Sequence, residues 1–400
     1  ADRAAICKLL VELPPDDRVD LLKEVPQEVV EQLLPLIPPL ARRDIIRLGL
    51  GATAVATFHR ALAAERAPRT LLILGGTGFL GPHLTTRALG RGWQVTHFNR
   101  GKRDADGVPG VETLHGDRKG QIETLRDRKW DAVIDNTGYI PKYVKQSAEL
   151  LAPNVGYCLF VSSISAYAGF TAPNDEASPT SKLADIEEEK VTNETYGPMK
   201  ALCETYTMGA FTDRACVVRP GYIVGPLDPT DRFTYWPVRA ARGGEMLGPG
   251  TPQDPIQIID VRDLTAWMLR LVDDRATGYY NAVTRPREYT IGDLVRASLE
   301  ASPGSGTKVT WVPESFLLNR WKSEEVDMPP WSPMGGESVG ASLTSSDRAR
   351  AAGLRTRLLS ETVRDTLAWF RTLPEERQAN LKAGIHPAVE AATLEAWHGR

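Results

Sequence analysis

The segment 194–204, ETYGPMKALCE, places Tyr196 four residues before Lys200. A phenol and an ammonium one helical turn apart share a helix face. Together they can move a proton at a substrate oxygen. The free phenol has a pKa of about 10, and a neighbouring cation favours the phenolate and draws that value toward working pH. On its own the pair says little, because the chain has eleven tyrosines and such a spacing arises readily by chance. Pro198 lies between the two. It confines Tyr196 to the first turn of its helix or just before it, since a proline inside a helix breaks the hydrogen-bond ladder.

The pair therefore has to be judged by what positions it. Residues 70–101, TLLILGGTGFLGPHLTTRALGRGWQVTHFNRG, read as strand, glycine loop, helix and second strand. LLIL is a continuous apolar run, as expected of a strand buried on both faces. Gly75, Gly78 and Gly81 form G-x-x-G-x-x-G. The first suits a tight turn, the second lets backbone approach a pyrophosphate, and the third lets the helix pack close to the strand. Pro82 falls where a helix begins and its missing N–H costs nothing; the helix N-terminus then faces the phosphates. The loop residues Gly75, Thr77, Gly78, Phe79, Leu80 and Gly81 are the candidate dinucleotide cradle. The second strand ends in Asn99-Arg100-Gly101-Lys102. A cofactor with a free ribose 2′-hydroxyl usually meets an acid at this place, whereas Asn99 and Arg100 suit a 2′-phosphate. NADP is thus favoured over NAD, with Lys102 read as a solvated loop charge.

A third strand, VETLHGD, ends at Asp117, and a fourth, WDAVIDNTGY, ends at Asn136-Thr137-Gly138. In an open parallel sheet such strand ends form the crevice where ligands sit. A fifth, YCLFVSSISAYAG, ends with Ser162 and Ser163, and a sixth, ACVVRP, runs into Pro220-Gly221. The fold class is α/β, a doubly wound parallel sheet of Rossmann type. A smaller C-terminal substrate lobe and a short all-α N-terminal segment are expected around it.

The ordered motifs GGTGFLG, GD at 116–117, SSISAYAG, YGPMK, RPGYIVGP at 219–226 and DVRDL at 260–264 span about 70–285. In that order they resemble the extended short-chain dehydrogenase/reductases, the NAD-dependent epimerase/dehydratase family. The resemblance implies a Ser-Tyr-Lys mechanism in which proton transfer accompanies hydride transfer. The serine four places before the aromatic of S-x-x-x-Y-x-G is Ser163, four before Tyr167; Ser162 and Ser165 are weaker candidates. The resemblance also implies that Ser163 hydrogen-bonds the substrate oxygen, that Lys200 reaches the nicotinamide ribose, and that the Pro220 turn packs beside the nicotinamide. Family dehydratases carry an acidic pair after the serine; here Ile164 and Ser165 stand there. A 4,6-elimination is therefore not expected. Sugar or sugar-nucleotide epimerisation leads, carbonyl reduction by NADPH is the alternative, and a redox-silent cofactor- or RNA-binding relative is the reading from another class.

In DPTDRFTYWPVRAARGGEMLGPG (228–250), Arg232 and Trp236 are candidate contacts for a substrate phosphate and ring, with Ser165 a third substrate candidate. YNAV (280–283) and YTIGDLV (289–295) read as a strand and a helix returning to the scaffold. Residues 303–345 carry Trp311, Trp321 and Trp331, expected to pack against the lobe. ETVRDTLAWFRTL reads as an amphipathic capping helix and the remaining tail as polar, surface-exposed helices. The expected organisation is 1–66, a helical-repeat or signal-like segment; 67–285, the nucleotide-binding domain, with a lobe insertion at about 226–256; 286–372, the substrate lobe and closing helices; and 373–400, a helical tail.

The first segment has its own pattern. LLVELP, LLKEVP, LLPLIP and IIRLGL start at 9, 21, 33 and 45, a period of twelve residues with prolines closing the units. This reads as short stacked helices. It resembles the cytosolic helical-repeat domain of MgtE-type magnesium transporters, which implies a module that binds a protein partner. A rival reading of 41–64 is a twin-arginine export signal built on Arg42-Arg43, although such a signal belongs near a terminus.

The net charge of −3 argues against a nucleic-acid surface. No apolar run approaches the roughly 18 residues of a membrane span. Cys7, Cys158, Cys203 and Cys216 form no C-x-x-C motif. They read as free thiols in a reducing, cytoplasmic setting, with no metal site. A small-molecule substrate and a homodimer complete the expectations.

Overall fold

In the computed structural model, residues 68–102, 108–322 and 326–400 are described. Thr70–Arg400 form one compact unit. The twelve-residue repeats and the Arg42-Arg43 segment lie outside the described residues.

The first strand, β1 (Thr70–Leu74), explains the apolar run. Side chains alternate across a strand. Leu71 and Ile73 enter one core with Leu84, Val95 and Ile134. Leu72 and Leu74 enter another with Phe98, Val133 and Cys158. Both faces are covered, so every position must be apolar. Helix α1 (Leu80–Gly90), β2 (Gln94–Asn99), β3 (Glu112–His115), β4 (Ala132–Asp135), α2 (Pro141–Leu151), β5 (Cys158–Val161), α3 (Asn193–Phe211) and β6 (Ala215–Pro220) follow. The third strand stops at His115, two residues short of the expected Asp117. The chain turns at Gly116, where a Cβ would lie 2.2 Å from the Gln121 carbonyl.

A short strand, β7 (Tyr222–Val224), leads to helix α4 (Tyr235–Ala241), then β8 (Glu245–Pro249), β9 (Pro255–Ile256) and β10 (Ile258–Asp260). Helix α5 (Val261–Asp274) returns the chain to β11 (Gly278–Ala282). The seven-stranded sheet has the order β11-β6-β5-β4-β1-β2-β3, with every pairing parallel. The order reverses at β1 and β4, the switch point at which such sheets open a crevice at their carboxyl ends.

The lobe holds β12 (Tyr289–Thr290), α6 (Ile291–Glu300), β13 (Lys308–Val312), α7 (Glu314–Arg320), α8 (Asp347–Ala351), α9 (Leu359–Phe370), α10 (Glu375–Ala379) and α11 (Pro387–His398). Phe233, Trp236, Leu247, Ile291, Leu294 and Val363 belong to its core. The tryptophans of 303–345 pack as expected. Trp311 lies against Gly248, where a Cβ would fall 2.6 Å from its ring. The Trp321 indole donates to Thr393 Oγ1 at 3.2 Å, and the Trp331 indole donates to Asp254 Oδ2 at 2.8 Å.

The tail departs from expectation. Helix α11 is not a surface appendage, because Glu390 on it is buried. Its carboxylate accepts from Arg239 Nε at 2.7 Å and from the Leu247 amide at 2.9 Å. Arg239 in turn donates to the carbonyls of Gly243 and Glu245. The polar texture of the tail conceals one carboxylate that completes the lobe. Removing one partner of such a pair strands the other charge. Glu390→Ala is therefore expected to lower the unfolding free energy by about 3–5 kcal/mol in urea titrations, with the lobe core loosened.

Candidate active site

Three glycines of the loop are required by the fold itself. A Cβ on Gly75, whose φ is +88°, would lie 2.1 Å from Thr137 Cγ2. One on Gly76 would lie 2.3 Å from the buried His97 ring, and one on Gly81 would lie 2.0 Å from the Gly76 carbonyl oxygen. Gly78 differs: its nearest neighbour would be the Gly75 carbonyl at 3.6 Å. Nothing within the protein forbids a side chain there, so the glycine leaves backbone open toward the crevice. Thr77 and Phe79 are half-buried beside it, while the Leu80 side chain enters the core and offers only its backbone.

The end of β4 braces this loop. Asn136, with its amide nitrogen turned toward β1, donates to the carbonyls of Leu74 at 3.1 Å and Gly75 at 3.2 Å. Thr137 Oγ1 donates to Leu74 O at 3.3 Å. At the end of β2, Asn99 Oδ1 accepts from the Gly101 amide at 2.8 Å, and its Nδ2 is buried with no partner. Arg100 and Lys102 are exposed. Asp117 Oδ1 accepts from the Lys119 amide at 3.0 Å. The glycine loop, Asn99, Asp117 and the 136–138 turn thus all lie at the carboxyl edge of the sheet.

The serine turn follows β5. Ser163 caps a short 3₁₀ turn, Ile164–Ala166, through Ser165 N at 3.1 Å, and its hydroxyl donates to Ser165 Oγ at 3.1 Å. Ser162 is buried and its hydroxyl has no partner. Pro220 closes β6 beside this turn: a Cβ on the adjacent Gly221 would lie 3.5 Å from Ile164 Cδ1.

Helix α3 carries the tyrosine and lysine. Thr192 and Thr195 form a reciprocal capping box at its start, which fixes where the helix begins. Tyr196 is the fourth helical residue, in the first turn as expected. Pro198 nevertheless lies inside the helix. The ladder loses one hydrogen bond near its N-terminus and continues to Phe211. Gly197 explains how the helix reaches the serine turn, since a Cβ there would lie 2.1 Å from the Ser165 carbonyl oxygen. This brings Tyr196 close enough to Ser163 for the serine hydroxyl to oppose the rise of the phenol pKa.

Lys200 is 3% exposed. Its ammonium donates to Gly138 O and Val161 O, each at 2.8 Å, and lies 4.9 Å from the Tyr139 ring centre and 5.0 Å from that of Phe160. Burial lowers its pKa to about 8. Burial, and then Tyr139, pushes the Tyr196 phenol up to about 12, against the opposing pull of Ser163 and Arg232. This corrects the expectation that the lysine draws the phenol downward: here the ammonium is turned to two backbone carbonyls, and desolvation outweighs charge.

On the lobe side, Ser165 stays half-buried beside Ser163. Arg232 is exposed; its Nε donates to Thr230 Oγ1 at 3.2 Å and its guanidinium lies 5.1 Å from the Tyr222 ring centre. Its charge is felt by Tyr196, Tyr222 and Asp327. Trp236 does not face this cleft. It is 0% exposed, with its indole bonded to Pro329 O at 2.8 Å, so it is a core residue and the ring-contact expectation is withdrawn. Sequence reasoning missed Tyr139, Tyr222 and Asp327. Tyr139 had one legible signal, a large aromatic directly after a strand-end glycine.

The lysine generates a pH test. Its pKa falls from 10.5 unfolded to about 8 folded. Between these values the unfolded chain binds more protons, so folding stability rises with pH. Relative to Lys200→Met, the wild type is expected to gain about 2 kcal/mol in urea-unfolding free energy between about pH 8 and pH 10. A flat difference would mean that the ammonium is not desolvated.

Residues 71–292 match the family described as NAD dependent epimerase/dehydratase. Residues 1–49 match the MgtE intracellular N domain, the group that the twelve-residue period resembles. The chain is 26% identical over 252 residues to the chloroplast stem-loop binding protein of 41 kDa b of Arabidopsis thaliana; the match covers 58% of this chain and 63% of that relative's length. Among solved structures it is similar to the Bordetella bronchiseptica enzyme WbmH in complex with NAD+ (TM-score 0.55, 18% identity, 76% of this chain and 99% of that one). It is similar to the UDP-Glc/GlcNAc 4-epimerase of Campylobacter jejuni (TM-score 0.56, 14% identity, 76% and 100% covered). The UDP-glucuronic acid 4-epimerase of Bacillus cereus in complex with NAD gives a TM-score of 0.54 at 14% identity, with 76% and 99% covered. At these identities the likeness is one of fold. The family match covers more than half of the sequence and includes the glycine loop, the serine turn and the Tyr-Lys helix, so this chain belongs to the NAD-dependent epimerase/dehydratase family.

Proposed function

We propose that this chain is an NAD(P)-dependent oxidoreductase of the epimerase type, acting on a sugar or a sugar nucleotide. One observation supports the reading: the start of helix α3 packs against the serine turn through Gly197, and Lys200 on the same helix bonds to Gly138, beside the Thr137 against which the glycine loop packs. The residues fit a dinucleotide. Gly78 has space where a Cβ would otherwise stand, helix α1 offers unpaired amides to a pyrophosphate, and the buried Asn99 Nδ2 has no partner. Asn99 and Arg100 at the same strand end favour a 2′-phosphate, hence NADP. Asp117, Asn136, Thr137, Gly138 and Pro220 would line the remainder of the cofactor's path.

When bound, the nicotinamide supplies a hydride acceptor that can return what it takes. Tyr196 would take the proton from the carbinol oxygen as the carbon is oxidised, and give it back on reduction. Ser163 would hold that oxygen by a hydrogen bond. Lys200 would contact the nicotinamide ribose. Ser165 and Arg232 would contact the substrate, the latter at an anionic group. With Ile164 and Ser165 where a dehydratase carries its acids, the reading is epimerisation without elimination; one-way carbonyl reduction uses the same groups. The proposal includes a homodimer, a cytoplasmic setting and a protein partner for the N-terminal repeats.

A second reading is favoured by one specific observation, the similarity to a protein named for stem-loop binding: a redox-silent relative that binds RNA. The intact Ser163, Tyr196 and Lys200 and the net charge of −3 speak for the enzyme.

Three measurements separate these readings. Native mass spectrometry is expected to find a retained or added nicotinamide dinucleotide. Tyr196→Phe is expected to reduce turnover by about 10²–10⁴-fold with binding retained. An epimerase conserves the dinucleotide over many turnovers, whereas a reductase consumes it one for one. Stem-loop RNA binding without any dinucleotide affinity would replace the enzyme reading by the second one.

A further inference from the structure

Tyr139 follows Gly138 at the carboxyl end of β4, and no step above uses it. It is 46% exposed. Its ring nonetheless lies over the Lys200 ammonium at 4.9 Å, and 6.4 Å from the Tyr196 ring at a 38° tilt. The ammonium also donates to the carbonyls of Gly138 and Val161 and lies over the ring of Phe160. Phe160 and Val161 are buried in β5, and Gly138 is packed so closely on Phe160 that a Cβ there would lie 2.3 Å from its ring. Tyr139 alone among these groups is largely exposed. Lys200 itself is 3% exposed, so with the ring over it almost none of the lysine is open to solvent.

We propose that Tyr139 is a movable cover over Lys200, and that its ring must swing into solvent before the ribose diol of a dinucleotide can take hydrogen bonds from the ammonium. Tyr139 is thus a positioning residue. It touches no reacting atom, but it decides when the lysine is available to cofactor and tyrosine. The covered arrangement suits a resting site, because the same burial holds the lysine pKa down and the tyrosine pKa up. The cover rests on the proposed function for its ligand, but not for its physical content, which is the accessibility of one amine.

Two readouts test it. In ligand-free protein, trinitrobenzenesulfonate labelling of Lys200, followed by peptide mass spectrometry, is expected to be about tenfold faster in Tyr139→Ala and Tyr139→Leu than in wild type. Such a factor lies within what a cation–π contact supplies. Tyr139→Phe keeps a ring and is expected to label like wild type. Binding of NADPH and NADH, followed by nicotinamide fluorescence, is expected to tighten by a similar factor in the Ala and Leu variants only. Equal labelling of Lys200 in all four proteins overturns the cover. So does dinucleotide binding that is unchanged or weaker in the Ala and Leu variants while wild type binds. If labelling rises as expected but none of the proteins binds either dinucleotide, the cover stands and the enzyme reading fails.

Discussion

A buried ammonium held by two strand ends is the constraint on which the site depends. Lys200 donates to the carbonyls of Gly138 and Val161, so helix α3 is tied to both β4 and β5 at the edge where the crevice opens. A cation in the interior is tolerated only when its hydrogen bonds are met. Here backbone dipoles and two aromatic faces meet them in place of a carboxylate. The same stripe of the helix carries two further attachments. Gly197, one turn earlier, lies against the Ser165 carbonyl. Glu204, one turn later, accepts from buried Arg219 at 2.6 and 2.9 Å, and that guanidinium lies 4.8 Å from the ring centres of Tyr167 and Tyr279. Three contacts at i, i+3 and i+7 leave the helix no freedom to slide, and Tyr196 takes its place from them.

The lobe follows a similar logic at its own centre. Asp260, at the end of β10, accepts from Arg262 Nη2 at 2.7 Å and from Thr362 Oγ1 at 2.8 Å. This carboxylate therefore ties the start of α5, a helix of the nucleotide-binding layer, to α9 of the lobe. Arg357 holds Asp263 on the same helix through its Nη2 at 2.7 Å. The two halves of the cleft are thus joined by one buried and one half-buried carboxylate rather than by apolar packing alone.

The sheet was legible in the sequence because its signals are local. LLIL must be a strand buried on both faces, and the glycine spacing must follow it. The start of the Tyr-Lys helix was legible because Pro198 confines Tyr196 to the first turn. What escaped was set by contacts remote in sequence. Trp236 reads as a ligand contact beside Arg232, but its indole is claimed by Pro329. Glu390 reads as one more tail charge until Arg239 closes on it. The direction in which Lys200 points could not be read from a spacing of four, because it depends on carbonyls 62 and 39 residues away. The place of Tyr139 over that ammonium escaped for the same reason.

The loop glycines also bear on how a scaffold like this diverges. At 75, 76 and 81 a methyl group collides with the protein itself, so selection for a folded chain is enough to keep these glycines. At 78 the added carbon would meet only the Gly75 carbonyl, at an ordinary contact distance. Folding places no guard on that position, and a lineage could lose its dinucleotide there while the sheet, the helices and the surface remain intact. Such a lineage would keep a stable molecule free to be selected for something other than redox chemistry.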